Sequence, residues 1–232
     1  CHTSQEEEGF DIKTGTYKTT FTETGINCEM CHGPGSLHIQ RMKKNPKDKI
    51  TAIINAGKLP PRERMMDCLQ CHARRIMIKK GFHPGKNYYD YYMPKLTELS
   101  VQRGSDPPAW ADRHRRFANE CLLLWESRCF LEGDATCITC HDAHQVDMAR
   151  DPRYRDTDVL CLQCHKKYRE DKAVAEHTHH SLKDKGSRCI ECHMLLITKK
   201  NIKLLQNAEV RDHLINIPIP ENTAKHNIPN AC

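Results

Sequence analysis

Apolar positions in this chain come in short clusters. The longest helical pattern covers 108–131, where Trp110, His114, Phe117, Cys121, Leu124 and Trp125 fall at near i, i+3/i+4 spacing and predict one face of a helix. Residues 62–80 predict a second helix, with Pro61 near its start, and 47–57 a third. Residues 3–27 are polar, and alternation over 14–22 predicts a short hairpin. Two segments read as loop: 81–94, rich in Gly, Pro and Tyr, and the tail 198–232, which holds Pro218, Pro220 and Pro229. The most apolar stretches, Leu122–Trp125 and Met194–Ile197, are far shorter than the run of about 18 residues that spans a bilayer.

Such a pattern leaves little material for a core. Hydrophobic residues make up 38% of the 232 residues and aromatic ones only 6%. The cysteines change the picture. Cys-x-x-Cys-His occurs five times: Cys28-Glu29-Met30-Cys31-His32, Cys68-Leu69-Gln70-Cys71-His72, Cys137-Ile138-Thr139-Cys140-His141, Cys161-Leu162-Gln163-Cys164-His165 and Cys189-Ile190-Glu191-Cys192-His193. Composition alone gives about 0.05 copies by chance. Each copy is the attachment signature of a c-type haem. Two cysteines a helical turn apart add to the two vinyl groups of one porphyrin, and the following histidine sits under the iron. Zinc would also use paired cysteines, but nothing in zinc chemistry requires a histidine after every second cysteine. A redox dithiol would occur once, in a strand–helix context.

With haem, a thin core is no obstacle, because each porphyrin is a large apolar plate. Six haems would leave about 39 residues per haem, a wrapping of short helices and loops. The expected fold is therefore mainly α with extensive loops and little β, a single multihaem cytochrome c domain over 1–232 with a haem-packed core. The apo-chain is expected to be largely unfolded, since folding and cofactor binding are coupled. The motif spacings are too irregular for a solenoid.

The chain ends add two partial motifs. Cys1-His2 reads as the end of a sixth motif, and Cys232, after Pro229-Asn230-Ala231, as the start of a seventh. The chain is then expected to be a segment of a longer polypeptide. Two rival readings remain: a lipidated Cys1, which leaves Cys232 unexplained, and a filament joining chain ends at a shared haem, for which two motif residues are lacking. Covalent haem attachment implies export, hence a periplasmic or extracellular protein without a transmembrane segment. The net charge of +6 invites a polyanion partner. A ferric haem with two imidazoles carries about −1, however, so six would cancel that charge. The basic residues are read as propionate partners and solvated surface, with no nucleic-acid role.

Six histidines follow motif cysteines: His2, His32, His72, His141, His165 and His193. Nine remain as candidate distal ligands: His38, His83, His114, His144, His177, His179, His180, His213 and His226. That is enough for a second imidazole on every iron. His144, three residues after His141, is expected to share a helix with it and to ligate a neighbouring haem. His213, in Arg211-Asp212-His213, has Asp212 as a candidate partner for its ring nitrogen. His114 lies on the apolar face of the long helix, either as a ligand or as a core residue, and His83 and His226 suit surface loops equally well. Methionine, the other common distal ligand, is read here as packing, and two imidazoles per iron imply low potentials. Cys121 and Cys129, outside the motifs, are read as a mutual disulfide or as buried thiols; a continuous helix would hold them too far apart to bond.

Several of these segments resemble a known family. Cys28–His38, with its Cys-His-Gly-Pro-Gly-Ser-x-His pattern, Cys137–His144, Cys189–Met194, Arg211-Asp212-His213 and Pro229–Cys232 are similar, in the same order, to exported multihaem cytochromes related to the tetrahaem cytochrome of ammonia oxidisers, some of which carry tetratricopeptide repeats after the haem domain. The resemblance implies bis-histidine ligation, with His38, His144 and His213 at family-like ligand positions, and a haem motif completed beyond Cys232. Gly81-Phe82-His83-Pro84-Gly85 has no counterpart in it.

Three functions compete. The leading one is electron transfer through a closely packed row of bis-histidine haems, with redox proteins or neighbouring cytochromes as partners and no catalytic residues. The second is a multihaem oxidoreductase acting on a small nitrogen or sulfur compound at an iron with an open position, which would need nearby acid and base groups. All five intact motifs end in His, where nitrite reductases of this kind often carry Lys, and the tyrosines at 88, 89, 91 and 92 read as haem packing. The third is a subunit of a polymerised cytochrome filament. All three require covalent haem. The intact protein should show a Soret band and a mass above the apo-chain by at least five haems; a colourless protein of apo-chain mass would exclude them together.

Overall fold

The computed structural model describes residues 2–94, 120–145, 158–199 and 208–226. Within them the chain is mainly helical, with extensive loops and four two-stranded antiparallel ribbons, the expected fold class. It divides into two compact units, residues 1–71 with 75–94, and residues 72–74 with 95–232.

The first unit begins with a hairpin arm longer than the alternation over 14–22 suggests. Thr3–Ser4 pairs with Glu23–Thr24, and Phe10–Asp11 with Thr16–Tyr17, with a bridge between Glu7 and Thr20. Gly9, at φ +58°, lies so close to the opposite strand that a Cβ would stand 2.3 Å from the Lys18 carbonyl oxygen. Only glycine fits there. At the base, the buried Ser4 hydroxyl donates to the Gly25 carbonyl (2.8 Å) and accepts from the Asn27 amide (2.9 Å). The arm thus fixes the residue that precedes the first motif.

The helix expected over 47–57 is absent. After helix Ser36–Lys44 the chain runs as an irregular strap to a single 3-10 turn, Ala56–Lys58. Ala52 takes φ +51°, and the carbonyls of Thr51 and Ile54 are used by histidine rings instead of by helical amides. Helix Pro61–His72 begins as expected but stops at His72, not near 80. The following Arg75–Met77 forms a ribbon with Tyr92–Pro94, in the register Ile76↔Met93. Its β-branched and aromatic residues prefer the pleated pairing. The segment 81–94, expected as loop, keeps its loop at 81–87 and adds the 3-10 turn Tyr88–Asp90 and the strand Tyr92–Pro94. Phe82 packs edge-on against Tyr88, Tyr91 and Tyr92, with Tyr88 fully buried.

In the second unit the long helix expected over 108–131 is interrupted. Residues 108–119, with Trp110, His114 and Phe117, lie outside the described residues. The remainder is two pieces, Glu120–Glu126 and Arg128–Leu131. Ser127 is the break: its backbone is extended, its hydroxyl donates to the Leu124 carbonyl (2.6 Å), and its oxygen accepts from the Phe130 amide (3.3 Å). One side chain ends the first helix and caps the second. Short helices follow at Cys137–Cys140, Asp158–Leu162, Asp171–Thr178 and Cys189–His193. The tail is more ordered than its prolines suggest. Leu196–Lys199 pairs with Ala208–Arg211, and Pro220–His226 is helical, with Pro220 at the first helical position, where its missing N–H costs nothing.

Among the described residues nine apolar side chains are buried, Met65, Leu69 and Leu124 among them, while nineteen large ones stand exposed. The core formed by the described residues is small. None of the described cysteines is in a disulfide, so Cys121 and Cys129 are not joined. Ser127→Ala should cost about 1–2 kcal/mol, seen as a lower denaturant midpoint at unchanged slope. An unchanged midpoint would mean that Ser127 is not the junction of the two helices.

Candidate haem centres

Each intact motif occupies one helical turn. In the first, third and fourth, the amide of the motif histidine donates to the carbonyl of the first motif cysteine: His32 to Cys28 (2.9 Å), His141 to Cys137 (2.8 Å) and His165 to Cys161 (3.0 Å). The second and fifth lie within helices, Pro61–His72 and Cys189–His193. The turn puts the two cysteines and the histidine on one side of the backbone, as attachment of one porphyrin requires. In the third motif the Thr139 hydroxyl accepts from the Thr136 amide (2.9 Å) and closes the start of the turn. His141 itself is extended beyond the helix end at Cys140, so His144 does not share a helix with it. His144 is instead in a turn, where its amide donates to Asp142 and its side chain is 82% exposed.

Whether these histidines fit iron depends on their other ring nitrogen. His32 Nδ1 donates to the Ile54 carbonyl (2.7 Å), and the Ile54 amide returns a bond to the His32 carbonyl (3.0 Å). His38 Nδ1 donates to the Thr51 carbonyl (2.7 Å). His193 Nδ1 donates to the Asn216 carbonyl (3.0 Å), and His213 Nδ1 to the Arg211 carbonyl (2.9 Å). A carbonyl can only accept, so the proton sits on Nδ1 and Nε2 keeps its lone pair, which is the second-shell arrangement of a metal-binding imidazole. Asp212, the partner expected for His213, plays another part: its carboxylate accepts from the Leu214 amide (2.9 Å) and so shapes the loop.

Two pairs of rings complete this geometry. His141 and His213 have centroids 6.0 Å apart and planes 20° from parallel; His177 and His193 are 6.2 Å apart and 2° from parallel. A metal-bound imidazole nitrogen sits about 2 Å from the ion and the ring centre about 1 Å farther, so two imidazoles on one iron place their centroids about 6 Å apart. Burial, helped by His193, Lys167 and His179, lowers the His177 pKa and favours the neutral ring. Tyr168, just after the fourth motif, packs on His177 with centroids 4.6 Å apart.

The attachment turns also touch one another. Gln70, inside the second motif, donates to the carbonyl of Met30, inside the first (2.8 Å). Burial, then Cys68, Asp67 and Cys28, pushes the Cys31 thiol up to about 11. Asp158, at the head of the fourth motif's helix, accepts from the Cys189 amide of the fifth (3.0 Å). The thiols of Cys161 and Cys189 share a hydrogen bond that lowers the first pKa and raises the second. Cys121 Sγ is 3.5 Å from Cys137 Sγ of the third motif, and Cys129 is held protonated by burial, then by nearby Cys161 and Cys164.

The remaining candidates are spread more widely. His2, His72 and His165 are exposed. His83 Nδ1 donates to the adjacent Pro84 carbonyl (3.1 Å). His179 adopts φ +58° at the end of helix Asp171–Thr178, and the His180 ring covers Gly186 so tightly that a Cβ there would lie 2.7 Å from it. His226 ends helix Pro220–His226. Cys1, His114 and Cys232 lie outside the described residues. Gln70, Asp158, Glu191 and Arg211, and the carbonyls of residues 51, 54 and 216, were not anticipated. Gln70 and Glu191 occupy the variable positions of their motifs, and a carbonyl acceptor has no residue-type signature.

A family model for the doubled CXXCH motif matches residues 130–170, which hold the third and fourth motifs. Among solved structures the chain is similar to the outer cell wall cytochrome OcwA, at 20% identity and a TM-score of 0.56, covering all of this chain and 58% of that one. No curated protein matches. The doubled motif and the shared fold support a multihaem c-type cytochrome. Among the described residues no helix is long and apolar enough to cross a membrane.

Asp67, next to Cys68 and 5% exposed, has a buried Oδ2 without a hydrogen-bond partner. Burial, then Cys68, pushes its pKa from the ordinary 3.8 to about 7, against the lowering effect of His32. The unfolded carboxyl releases its proton first, so stability falls as pH rises between these values and levels off above about 7. Asp67→Asn should match the parent near pH 4 and exceed it near pH 8 by on the order of 2–4 kcal/mol in denaturant unfolding. Parallel pH profiles for parent and variant would contradict this placement of Asp67.

Proposed function

We propose that this chain is an electron carrier in which adjacent c-type haems are each held by two histidines. The observation that carries the reading is the pair of imidazole pairs, His141 with His213 and His177 with His193, at the separation that one iron requires. When bound, a c-type haem supplies a one-electron iron(III)/iron(II) couple. The protein's residues do the rest. The cysteines would tether the haem, the Nδ1–carbonyl bonds hold each ring ready, and two imidazoles would hold the iron of each haem. His32 and His38, each oriented by the 51–54 strap, are the residues of the first unit that would hold iron. The contacts between the first and second motifs, and between the fourth and fifth, bring attachment sites close enough for electrons to pass between them. The exposed apolar side chains are surface for the porphyrin plates to cover.

On this reading at least five haems bind, one at each intact motif. The protein works in the periplasm or outside the cell, exchanges electrons with redox proteins or neighbouring cytochromes, and is related to the tetrahaem cytochrome of ammonia oxidisers. The test uses His177→Ala and His213→Ala in the haem-loaded protein. Each should convert one haem from low-spin to high-spin in EPR and let one ferrous haem bind CO, whereas the parent binds none. Variants that remain wholly low-spin would remove the bis-histidine assignment, and a parent that binds CO would favour the enzyme reading.

A further inference from the structure

The geometry points to Arg211 as a positioning residue that ties the fifth attachment turn to the loop presenting His213, so that two haem centres are held as one body. This rests on the reading of His213 as the distal partner of His141.

Arg211 stands at the end of strand Ala208–Arg211, opposite Leu196. Its guanidinium grips the fifth motif at two residues, Ile190 and Glu191, and at Met194 just after it. Nη2 donates to Glu191 Oε1 (2.7 Å), and Nη1 reaches Glu191 Oε2 (3.4 Å), the Ile190 carbonyl (3.1 Å) and the Met194 carbonyl (3.2 Å). Glu191 is a variable position inside Cys189-Ile190-Glu191-Cys192. Ile190 and Met194 are in the turn that carries His193 and just beyond it. Both members of the ion pair are about one-quarter exposed. A forked, four-contact grip at that depth has directional demands that a surface pair lacks, and a lysine ammonium does not reproduce it.

The other end of the same residue holds His213. The Arg211 carbonyl accepts from His213 Nδ1 (2.9 Å), and the next amide, of Asp212, donates to the Leu195 carbonyl (2.9 Å). Side chain and backbone of one residue therefore join two centres: the guanidinium holds the turn of His193, and the carbonyl sets the ring of His213, whose partner is His141. A change in the grip on Glu191 should reach His213 through a single peptide unit. The orientation of an axial imidazole sets the g values of a low-spin haem, so the coupling has a direct spectroscopic signature.

The experiment compares Glu191→Gln and Arg211→Lys in the haem-loaded protein, with haem content checked by mass. The signal of the His213-liganded haem is first assigned as the low-spin signal lost in His213→Ala. Both conservative variants should shift the g values of that signal, although Glu191 belongs to a different motif. A Glu191→Gln spectrum with the His213-associated signal unmoved overturns the inference and leaves the function intact. If His213→Ala removes no low-spin signal, the axial assignment fails first and the inference falls with it.

Discussion

The attachment turns hold one another, and the rest of the structure is arranged around that constraint. Within the first unit, Gln70 of the second motif bonds the backbone of the first. Within the second, Asp158 at the fourth motif caps the start of the fifth, and Arg211 joins the fifth to the loop of His213. The few apolar side chains buried among the described residues cannot position the attachment turns by core packing alone. Direct bonds between neighbouring motifs do that work. On the proposed reading they would also set how near the haems lie, the quantity on which electron passage depends.

The second recurring device is the backbone carbonyl that receives Nδ1 of a histidine. It appears at His32, His38, His193 and His213, on acceptors 51, 54, 211 and 216. Each bond fixes both the tautomer and the ring plane. A ring held in this way would have little to rearrange if a bound metal changed charge. Three of the four acceptors, at 51, 54 and 216, come from irregular segments, where no helix consumes the carbonyls, and the fourth, at 211, from a strand end. The loss of the helix expected over 47–57 and the presence of the strap are the same fact seen from two sides.

Much of this was legible in the residues. The five motifs, the mainly helical class with short elements, the N-terminal hairpin and the start of the helix at Pro61 were all readable from spacing and turn chemistry. The rings of His38 and His213 each bond a backbone carbonyl through Nδ1, and those of His213 and His177 lie near-parallel to the rings of His141 and His193; their role as ligands is a proposal. What could not be read depended on tertiary partners. The helical face through Cys121 and Leu124 breaks at Ser127 because a hydroxyl can serve two backbone groups at once. The apolar run after His72 pairs with Tyr92–Pro94, a contact made across a loop. His144 leaves the helix because the turn of its motif ends at Cys140, and Asp212 shapes a loop while the carbonyl of Arg211 takes its expected place.

The central claim is that neighbouring attachment turns hold their centres close enough to act on one another. EPR of the fully oxidised, haem-loaded protein tests it most directly. Low-spin signals broadened by interaction between neighbouring irons, sharpening as a partner is reduced, are the predicted result. A spectrum that is the simple sum of isolated low-spin haems, unchanged in shape through partial reduction, would contradict it.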